Sequence, residues 1–280
     1  MPLLGNIKLI CMDMDGTLFA ANEQIPEINV RALRECSRRG IRTALVSGRN
    51  YRFLMQKARE ISRDLAIVSA NGARIDECAG GRCIYESCFK APDAEKVNNV
   101  LWDTQAYYEI YTRDVNYAFR YEKIPKAHKR SLARYIENRQ VTECRILTDP
   151  KKAPNEGIYK FVAFSEEPAT IAYVQKTFDD MGIAHASSGS QNVETMAPGV
   201  DKGNALKVLC EHFGILRSDT MAFGDYTNDI CMLNASAHPV AMANAVDALK
   251  TKAEIIAPPN TQGGVGQVIY KYVLGADGEA

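Results

Sequence analysis

The sequence of 280 residues lacks an excess of charge of either sign, because 34 lysines and arginines balance 34 aspartates and glutamates. This balance gives no electrostatic footprint for nucleic acid or for an anionic membrane surface. No apolar run approaches the roughly 18 residues of a membrane-spanning helix, and the chain opens without a charged-then-apolar signal segment. We therefore expect a cytoplasmic protein that binds neither nucleic acid nor membrane.

Two further patterns are missing. The eight cysteines include no CxxC pair, which favours a reduced setting over a disulfide framework or a paired-cysteine zinc site. No GxGxxG follows the first apolar run, so a dinucleotide-binding oxidoreductase fits poorly. Apolar residues nevertheless make up 46% of the chain, enough for a buried core.

Short apolar runs alternate with helical patterns near both ends of the chain. Residues 7–13, 41–47 and 65–70 are typical of buried strands, and 26–39 and 50–62 have the spacing of helices. The same alternation returns over residues 202–273. This rhythm predicts an α/β fold with a doubly wound, mainly parallel, Rossmann-like sheet.

The middle of the chain has a different character. From about residue 83 to 190, short aromatic or alternating strands are separated by helical stretches. We interpret 83–190 as an inserted α+β cap domain that divides a core made of residues 1–82 and 191–280.

Acidic residues follow two of the predicted core strands. Asp13 and Asp15 are two apart in extended geometry and face one side, where Gly16 permits a turn and Thr17 adds a hydroxyl. Asp225 also ends a strand, and Asp229 lies one helical turn further on. Taken singly, the first pair also fits an ordinary turn, and the second fits a helix cap.

Two cationic segments add to this set. Ser47, Gly48 and Arg49 end the second strand and offer groups that bind phosphate oxygens, although taken alone they are better explained by a simple turn. Lys202 begins a helix, where its positive charge is unfavourable beside the positive end of the helix dipole. A lysine at this position therefore indicates a role other than helix stability. If the core strands have the order 3-2-1-4-5-6, Asp13, Asp15, Ser47 and Asp225 converge on one crevice.

Such a cluster of carboxylates requires a cation, because like charges raise one another's pKa. Oxygen ligands without histidine or cysteine point to Mg²⁺, which retains substrate phosphate as a further ligand.

Four ordered motifs resemble those of the haloacid dehalogenase-like hydrolase superfamily: DMDGT at 13–17, VSGR at 46–49, Lys202 within DKGNAL, and GDYTND at 224–229. The ANGA at 70–73 and the long insert look like the Cof-type phosphatases, which carry a type IIB cap. The resemblance covers nearly the whole chain and says little about the substrate.

The resemblance implies a mechanism. Asp13 would be the nucleophile and form an aspartyl-phosphate, and Asp15 would be the general acid and then the base. Mg²⁺ would be held by Asp13, the backbone carbonyl of Asp15 and Asp225. Ser47 and Lys202 would hold the phosphoryl oxygens.

Other residues would have supporting roles. Asp229 would orient Lys202 or a metal-bound water, and Thr17, with a hydroxyl near a helix start, would also support the site. The candidate substrate contacts are Gly16, Gly48, Arg49, Asn71 and Asn228. In the cap the candidates are Arg113, Tyr117 and Arg120, each of which also fits a solvated strand surface.

The implied function is a Mg²⁺-dependent phosphatase for a small phosphorylated metabolite, such as a sugar phosphate. Two alternatives stay open. A phosphomutase of the same superfamily would return the phosphoryl group to substrate, and a non-enzymatic phospho-receiver or binding module would keep it. No pattern indicates an oligomeric state.

Overall fold

A computed structural model describes residues 4–20, 23–78, 80–113, 115–137 and 143–275. Its thirteen strands are, in chain order, β1 Leu9–Met12, β2 Arg42–Val46, β3 Ala66–Ser69, β4 Arg74–Asp76, β5 Cys83–Glu86, β6 Tyr107–Thr112, β7 Val115–Phe119, β8 Glu143–Leu147, β9 Ile158–Phe164, β10 Asn192–Met196, β11 Thr220–Gly224, β12 His238–Met242 and β13 Ile255–Ala257. Its nine α-helices are α1 Glu27–Arg38, α2 Tyr51–Ile61, α3 Ala91–Asp103, α4 Lys126–Glu137, α5 Pro168–Asp180, α6 Lys202–Phe213, α7 Ile230–Ala235, α8 Asp247–Lys250 and α9 Gly264–Ile269, and a π-helical turn, Tyr270–Leu274, follows α9. Strand and helix counts refer to these described segments.

The larger sheet has the order β13-β12-β11-β1-β2-β3-β4-β5. The six strands from β13 to β3 are parallel, and β4 and β5 add an antiparallel edge. Every residue of β1 is fully buried, although successive side chains point to opposite faces. Both faces are therefore covered, as in doubly wound α/β proteins, and the predicted order 3-2-1-4-5-6 is confirmed for the parallel strands.

The smaller sheet has the order β10-β9-β6-β7-β8. Its pairs are antiparallel except β7 with β8. It has its own hydrophobic core, in which Tyr108 stacks on Phe119 with ring centroids 4.7 Å apart and Phe161 is fully buried. The insert is therefore a mixed α+β unit, as its aromatic strands predict.

Strand pairing differs from the predicted domain limits at both ends of the insert. β5 lies within 83–190 yet pairs with β4 in the larger sheet, and β10 lies within 191–280 yet pairs with β9 in the smaller sheet. The local pattern of a short strand does not show which sheet supplies its partner. We propose that the cap extends from about residue 87 to about residue 197. Within the described residues, no helix is long and apolar enough to cross a membrane.

Candidate active site

The first acidic pair lies at the carboxyl end of β1. The backbone N–H of Asp13 donates to the carbonyl of Phe223 at 3.1 Å, which extends the pairing of β1 with β11 by one residue. The Asp13 side chain is buried, whereas that of Asp15 is 51% exposed. Asp13 is thus fixed by the sheet at the inner end of the crevice, and Asp15 lies nearer its mouth.

Gly16 brings Asp225 into the same crevice. Its φ of 84° is in the left-handed region that favours glycine. A Cβ atom at this position would lie only 2.3 Å from Oδ2 of Asp225. The hydroxyl of Thr17 donates to Oδ1 of the same carboxylate at 2.7 Å. The turn after β1 therefore receives the side chain that follows β11, as the strand order predicts.

Lys202 lies between two carboxylates. Its Nζ atom donates to Oδ1 of Asp13 at 2.5 Å and to Oδ1 of Asp229 at 2.6 Å, and its side chain is 1% exposed. Helix α6 can bring it there because Gly203 packs against α7: a Cβ at Gly203 would lie 2.4 Å from the carbonyl oxygen of Cys231. These two bonds explain a lysine in the first turn of a helix.

Burial dominates the electrostatics of this group. It raises the pKa of Asp13 well above its ordinary value; the ammonium of Lys202 opposes the shift, and the carboxylate of Asp229 adds to it. Burial also raises the pKa of Asp225 to about 6, although the hydroxyl of Thr17 stabilises its charged form. For Lys202, burial lowers the pKa, but Asp13 and Asp229 outweigh it and the net shift is upward. The raised pKa values of Asp13 and Asp225 indicate that one ammonium does not compensate the buried carboxylates, so a further cation would stabilise their charged forms.

The carboxylates fit a hard metal ion. Asp13, Asp225 and Asp229 each offer an oxygen within 4.8 Å of the others. Oδ1 of Asp229 already accepts from Lys202, and its Oδ2 accepts from the backbone N–H groups of Asp225 at 3.0 Å and Tyr226 at 3.2 Å. Asp13 and Asp225 are therefore the better placed carboxylates for a cation, and Asp229 holds the lysine and the backbone after β11. Oxygen donors alone suit Mg²⁺ or a similar ion.

The turn after β2 faces this group. Ser47 is buried, and its Oγ atom accepts a hydrogen bond from the backbone N–H of Arg49 at 3.2 Å. The guanidinium of Arg49 donates to both oxygens of Asp15, at 2.7 Å from Nε and 2.6 Å from Nη2. Its Nη1 atom donates to Glu23 at 2.9 Å. This bidentate pair fixes the position of the Asp15 carboxylate.

A cavity of about 260 Å³ opens between segments of the two sheets. The predicted site residues in its lining are Asp13, Asp15, Ser47, Gly48, Arg49 and Asn228. Gly16 and Asn71 are not among the lining residues; Nδ2 of Asn71 instead donates to Glu194 at 2.6 Å. Asp225, Asp229, Lys202 and Thr17 lie behind the lining, in the hydrogen-bonded group just described.

The cap side of the cavity has residues that sequence reasoning missed. They are Tyr111, His128, Lys160, Phe164, Ser188, Asn192 and Glu194. The three cap candidates are absent from this lining: Arg113 pairs with Glu86 at 2.5 Å, the Arg120 guanidinium lies over the ring of Trp102, and Tyr117 lies in β7 without reaching the cavity. One available signal was Lys160, a charged residue inside the apolar run 158–164.

Comparison with known proteins agrees with this arrangement. A family model described as haloacid dehalogenase-like hydrolase matches residues 10–269. The chain is 30% identical over 246 residues to an HMP-PP phosphatase of Cronobacter sakazakii, covering 86% of each chain. It is 28% identical to a 5-amino-6-(5-phospho-D-ribitylamino)uracil phosphatase of Bacillus subtilis, covering 96% of this chain and 99% of the relative.

The fold is also that of a solved relative. A haloacid dehalogenase subclass IIB sugar phosphatase is 20% identical and superimposes with a TM-score of 0.80, over 95% of this chain and 98% of its own. The predicted doubly wound core with an inserted cap is confirmed, and so is the resemblance to this superfamily. The chain belongs to the haloacid dehalogenase-like hydrolase family and is a phosphatase of that family.

Proposed function

We propose that the protein is a Mg²⁺-dependent phosphatase that hydrolyses a small phosphomonoester through an aspartyl-phosphate on Asp13. One observation carries the proposal: the buried ammonium of Lys202 bonds to both Asp13 and Asp229 beside the carboxylate of Asp225. A structural ion pair needs one carboxylate, whereas this group has three and is open to a cavity. An excess of buried negative charge is what a site for a divalent ion and a phosphoryl group requires.

Asp13 supplies the nucleophile in this proposal. Its carboxylate lines the cavity and is fixed by the β1–β11 pairing. One oxygen attacks phosphorus in line with the leaving oxygen, so that the O–P bond to Asp13 forms as the ester O–P bond breaks. Water then attacks the same phosphorus, which releases inorganic phosphate and restores the carboxylate.

Asp15 moves the proton in both steps. It donates a proton to the leaving alcohol oxygen and later removes one from the attacking water. Its carboxylate lines the same cavity, where Arg49 holds it at two points. A fixed position matters because the proton must travel along a short hydrogen bond to the reacting oxygen.

The remaining groups stabilise charge. Carboxylate oxygens of Asp13 and Asp225, with the Asp15 carbonyl, would hold Mg²⁺, which when bound neutralises phosphoryl charge and orients the transfer. Lys202 supplies a fixed positive charge beside Asp13. The Ser47 hydroxyl accepts from Arg49 N–H, which leaves its own hydrogen to donate to a phosphoryl oxygen.

The substrate class follows from the cavity. A volume of about 260 Å³ is at or below the lower end of ordinary ligand sites and suits a small molecule. The relatives named above act on HMP-PP and on a phosphoribitylaminouracil, which are both small phosphorylated metabolites. We therefore propose a phosphorylated metabolite of this size, such as a sugar phosphate.

The test is release of inorganic phosphate from a panel of phosphorylated metabolites and 4-nitrophenyl phosphate. We expect release with Mg²⁺, none with EDTA, and none from Asp13→Asn. Asp64→Asn is the matched control, because Asp64 is an exposed aspartate that bonds to Ser37 away from the site. Full activity of Asp13→Asn would remove Asp13 as nucleophile.

The same assay separates the alternatives. A phosphomutase would convert the substrate to an isomeric monophosphate and release little phosphate. A phospho-receiver would keep a long-lived phosphoaspartate and turn over slowly. Asp15→Asn should hold the phosphoenzyme or fail to form it, and normal turnover by that variant would require a different acid.

A further inference from the structure

A buried ion pair lies between the cap and the turn that carries Ser47. Lys160 is on β9 and Glu194 is on β10, the neighbouring strand, and their Nζ and Oε2 atoms are 3.0 Å apart. Each side chain is only 4% exposed. Burial would raise the pKa of Glu194, but Lys160 and hydrogen bonds from Ser188 and Asn71 hold it below its ordinary value. The carboxyl group of Glu194 is therefore held in its charged form beside Nζ of Lys160.

Stability alone does not explain this pair. Removing two charges from water costs about as much as their attraction returns, so apolar residues of similar volume usually serve as well. Its neighbours in β9 are apolar and buried, which shows that this strand accepts such residues. The other contacts of the pair indicate a different role.

Both partners bond to the larger sheet's side of the cavity. Nζ of Lys160 donates to the carbonyl of Gly48 at 2.9 Å. Nδ2 of Asn71 donates to Oε2 of Glu194 at 2.6 Å, and the backbone N–H of Asn71 donates to the carbonyl of Ser47 at 3.0 Å. The Lys160–Glu194 pair thus holds the Ser47–Gly48 segment directly, through the carbonyl of Gly48, and indirectly, through Asn71.

The contact is close. A Cβ on Gly48 would lie 3.0 Å from Oδ1 of Asn71 and 3.2 Å from Nζ of Lys160. Ser47 and Arg49, on either side of Gly48, both line the cavity, and Arg49 fixes Asp15. A shift of the pair would therefore move the group proposed to bind phosphate and the group proposed to transfer the proton.

We propose that Lys160 and Glu194 are positioning residues, which hold the Ser47–Arg49 turn in the geometry for phosphoryl transfer when the cap packs on the core. This role rests on the proposed function. It makes catalysis depend on cap docking through hydrogen bonds that do not involve the substrate. Loss of the pair should therefore slow the reaction of every substrate and leave substrate selection nearly unchanged.

The test variant is Lys160→Met with Glu194→Gln, which removes both charges and nearly conserves volume. The new side-chain amide keeps an oxygen for Asn71, so that no buried charge and few buried polar atoms lose their partners. The control is Lys176→Met with Asp180→Asn, an ion pair of 2.6 Å on the cap helix α5 with both side chains exposed. We expect each variant to melt within a few degrees of wild type.

Three quantities are measured with 4-nitrophenyl phosphate and ribose 5-phosphate: kcat, KM and the inhibition constant of orthovanadate, which mimics the five-coordinate transition state. For the test variant we expect kcat to fall by about 10²-fold, as a misplacement of roughly 1 Å can cause. KM should change less than threefold for both substrates. The vanadate constant should rise by a factor similar to the fall in kcat, and the control should match wild type.

Three outcomes would overturn the role. Unchanged kcat and vanadate inhibition would show that the turn does not need the pair. A higher KM for ribose 5-phosphate alone would make Lys160 a substrate contact. Lower kcat with unchanged vanadate inhibition would indicate a smaller active fraction. If the double variant does not fold, Glu194→Gln alone is measured by the same criteria. If wild type releases no phosphate, the proposed function fails first, before the variants are compared.

Discussion

Replacing Lys202 by methionine removes the ammonium between Asp13 and Asp229 and keeps most of the side-chain volume. Nζ lies 2.5 Å and 2.6 Å from the two carboxylates, and all three side chains are buried. Removal of one partner from a buried ion pair usually costs about 3–5 kcal/mol. Against a typical total of about 5–15 kcal/mol, this is a large loss that leaves the variant folded but weakened.

The cost should depend on pH. Because the Lys202 ammonium lowers the pKa of buried Asp13, its removal should raise that pKa further, so the folded variant keeps a proton to higher pH than folded wild type and binds more protons than the unfolded chain above pH ~4. The free energy of unfolding of the variant then falls as pH rises, relative to wild type. For one extra proton, the free energy of unfolding changes by about 1.4 kcal/mol per pH unit. The variant should therefore recover roughly 2–3 kcal/mol of its lost stability when the pH is lowered from 7.5 to 5.5.

Urea unfolding followed by circular dichroism, in EDTA at both pH values, measures this difference. Lys207→Met is the matched control, because Lys207 is an exposed residue of the same helix, α6. We expect the control to unfold with wild type and the test variant to unfold at a midpoint lower by about 1–2 M at pH 7.5. Equal midpoints for wild type and Lys202→Met at both pH values would refute the buried triad of charges.

Three further outcomes are expected. Asp13→Asn should stay folded and lose phosphate release by at least about 10⁴-fold, measured against an unchanged far-ultraviolet spectrum, because an amide is no nucleophile here. Gly16→Ala should weaken Mg²⁺ activation at least tenfold, since its Cβ would meet the Asp225 carboxylate at 2.3 Å; a magnesium titration of activity measures this. Glu109→Gln should lower the free energy of unfolding by about 1–3 kcal/mol at pH 7, because the buried carboxylate accepts from His128 at 2.6 Å. Burial would raise the pKa of Glu109, but His128 holds it below its usual 4.5. The difference in free energy of unfolding between wild type and Glu109→Gln should therefore shrink below about pH 4.5, which urea midpoints over a range of pH would measure.

The core and its acidic cluster could be predicted because their signals are local. Each strand that delivers a site residue is a short apolar run, and each ends directly before the polar residue, as β1 does before Asp13 and β11 does before Asp225. Parallel strands share one carboxyl edge, so strand order alone brings these side chains together. The odd position of Lys202 at a helix start was a local signal too, and its partners Asp13 and Asp229 explain it.

The cap side of the cavity could not be predicted in the same way. Which cap residues face the core depends on sheet register and on how the two units pack, and a single sequence contains neither. Arg113 and Arg120 have the chemistry of phosphate ligands, yet Arg113 forms an ion pair with Glu86 and Arg120 lies over the ring of Trp102. The limits of the cap, placed at residues 83 and 190, stay a prediction, because β5 and β10 are short strands and only their partners assign them to a sheet.

In the proposed function the two sheets have different roles, which explains why the core side of the site could be predicted and the cap side could not. In the proposed function, the residues that act on the phosphoryl group follow β1, β2 and β11 or begin α6, in segments where a one-residue shift would break the parallel pairing. We propose that groups which meet the rest of the substrate come from the smaller sheet, which bonds to the core through contacts such as that from Lys160 to Gly48. If both proposals hold, we expect substitutions in the cap to change the substrate without disturbing Asp13, provided that the contact between Lys160, Glu194 and the Ser47–Arg49 turn is kept. A cap variant that alters specificity should accordingly retain this contact.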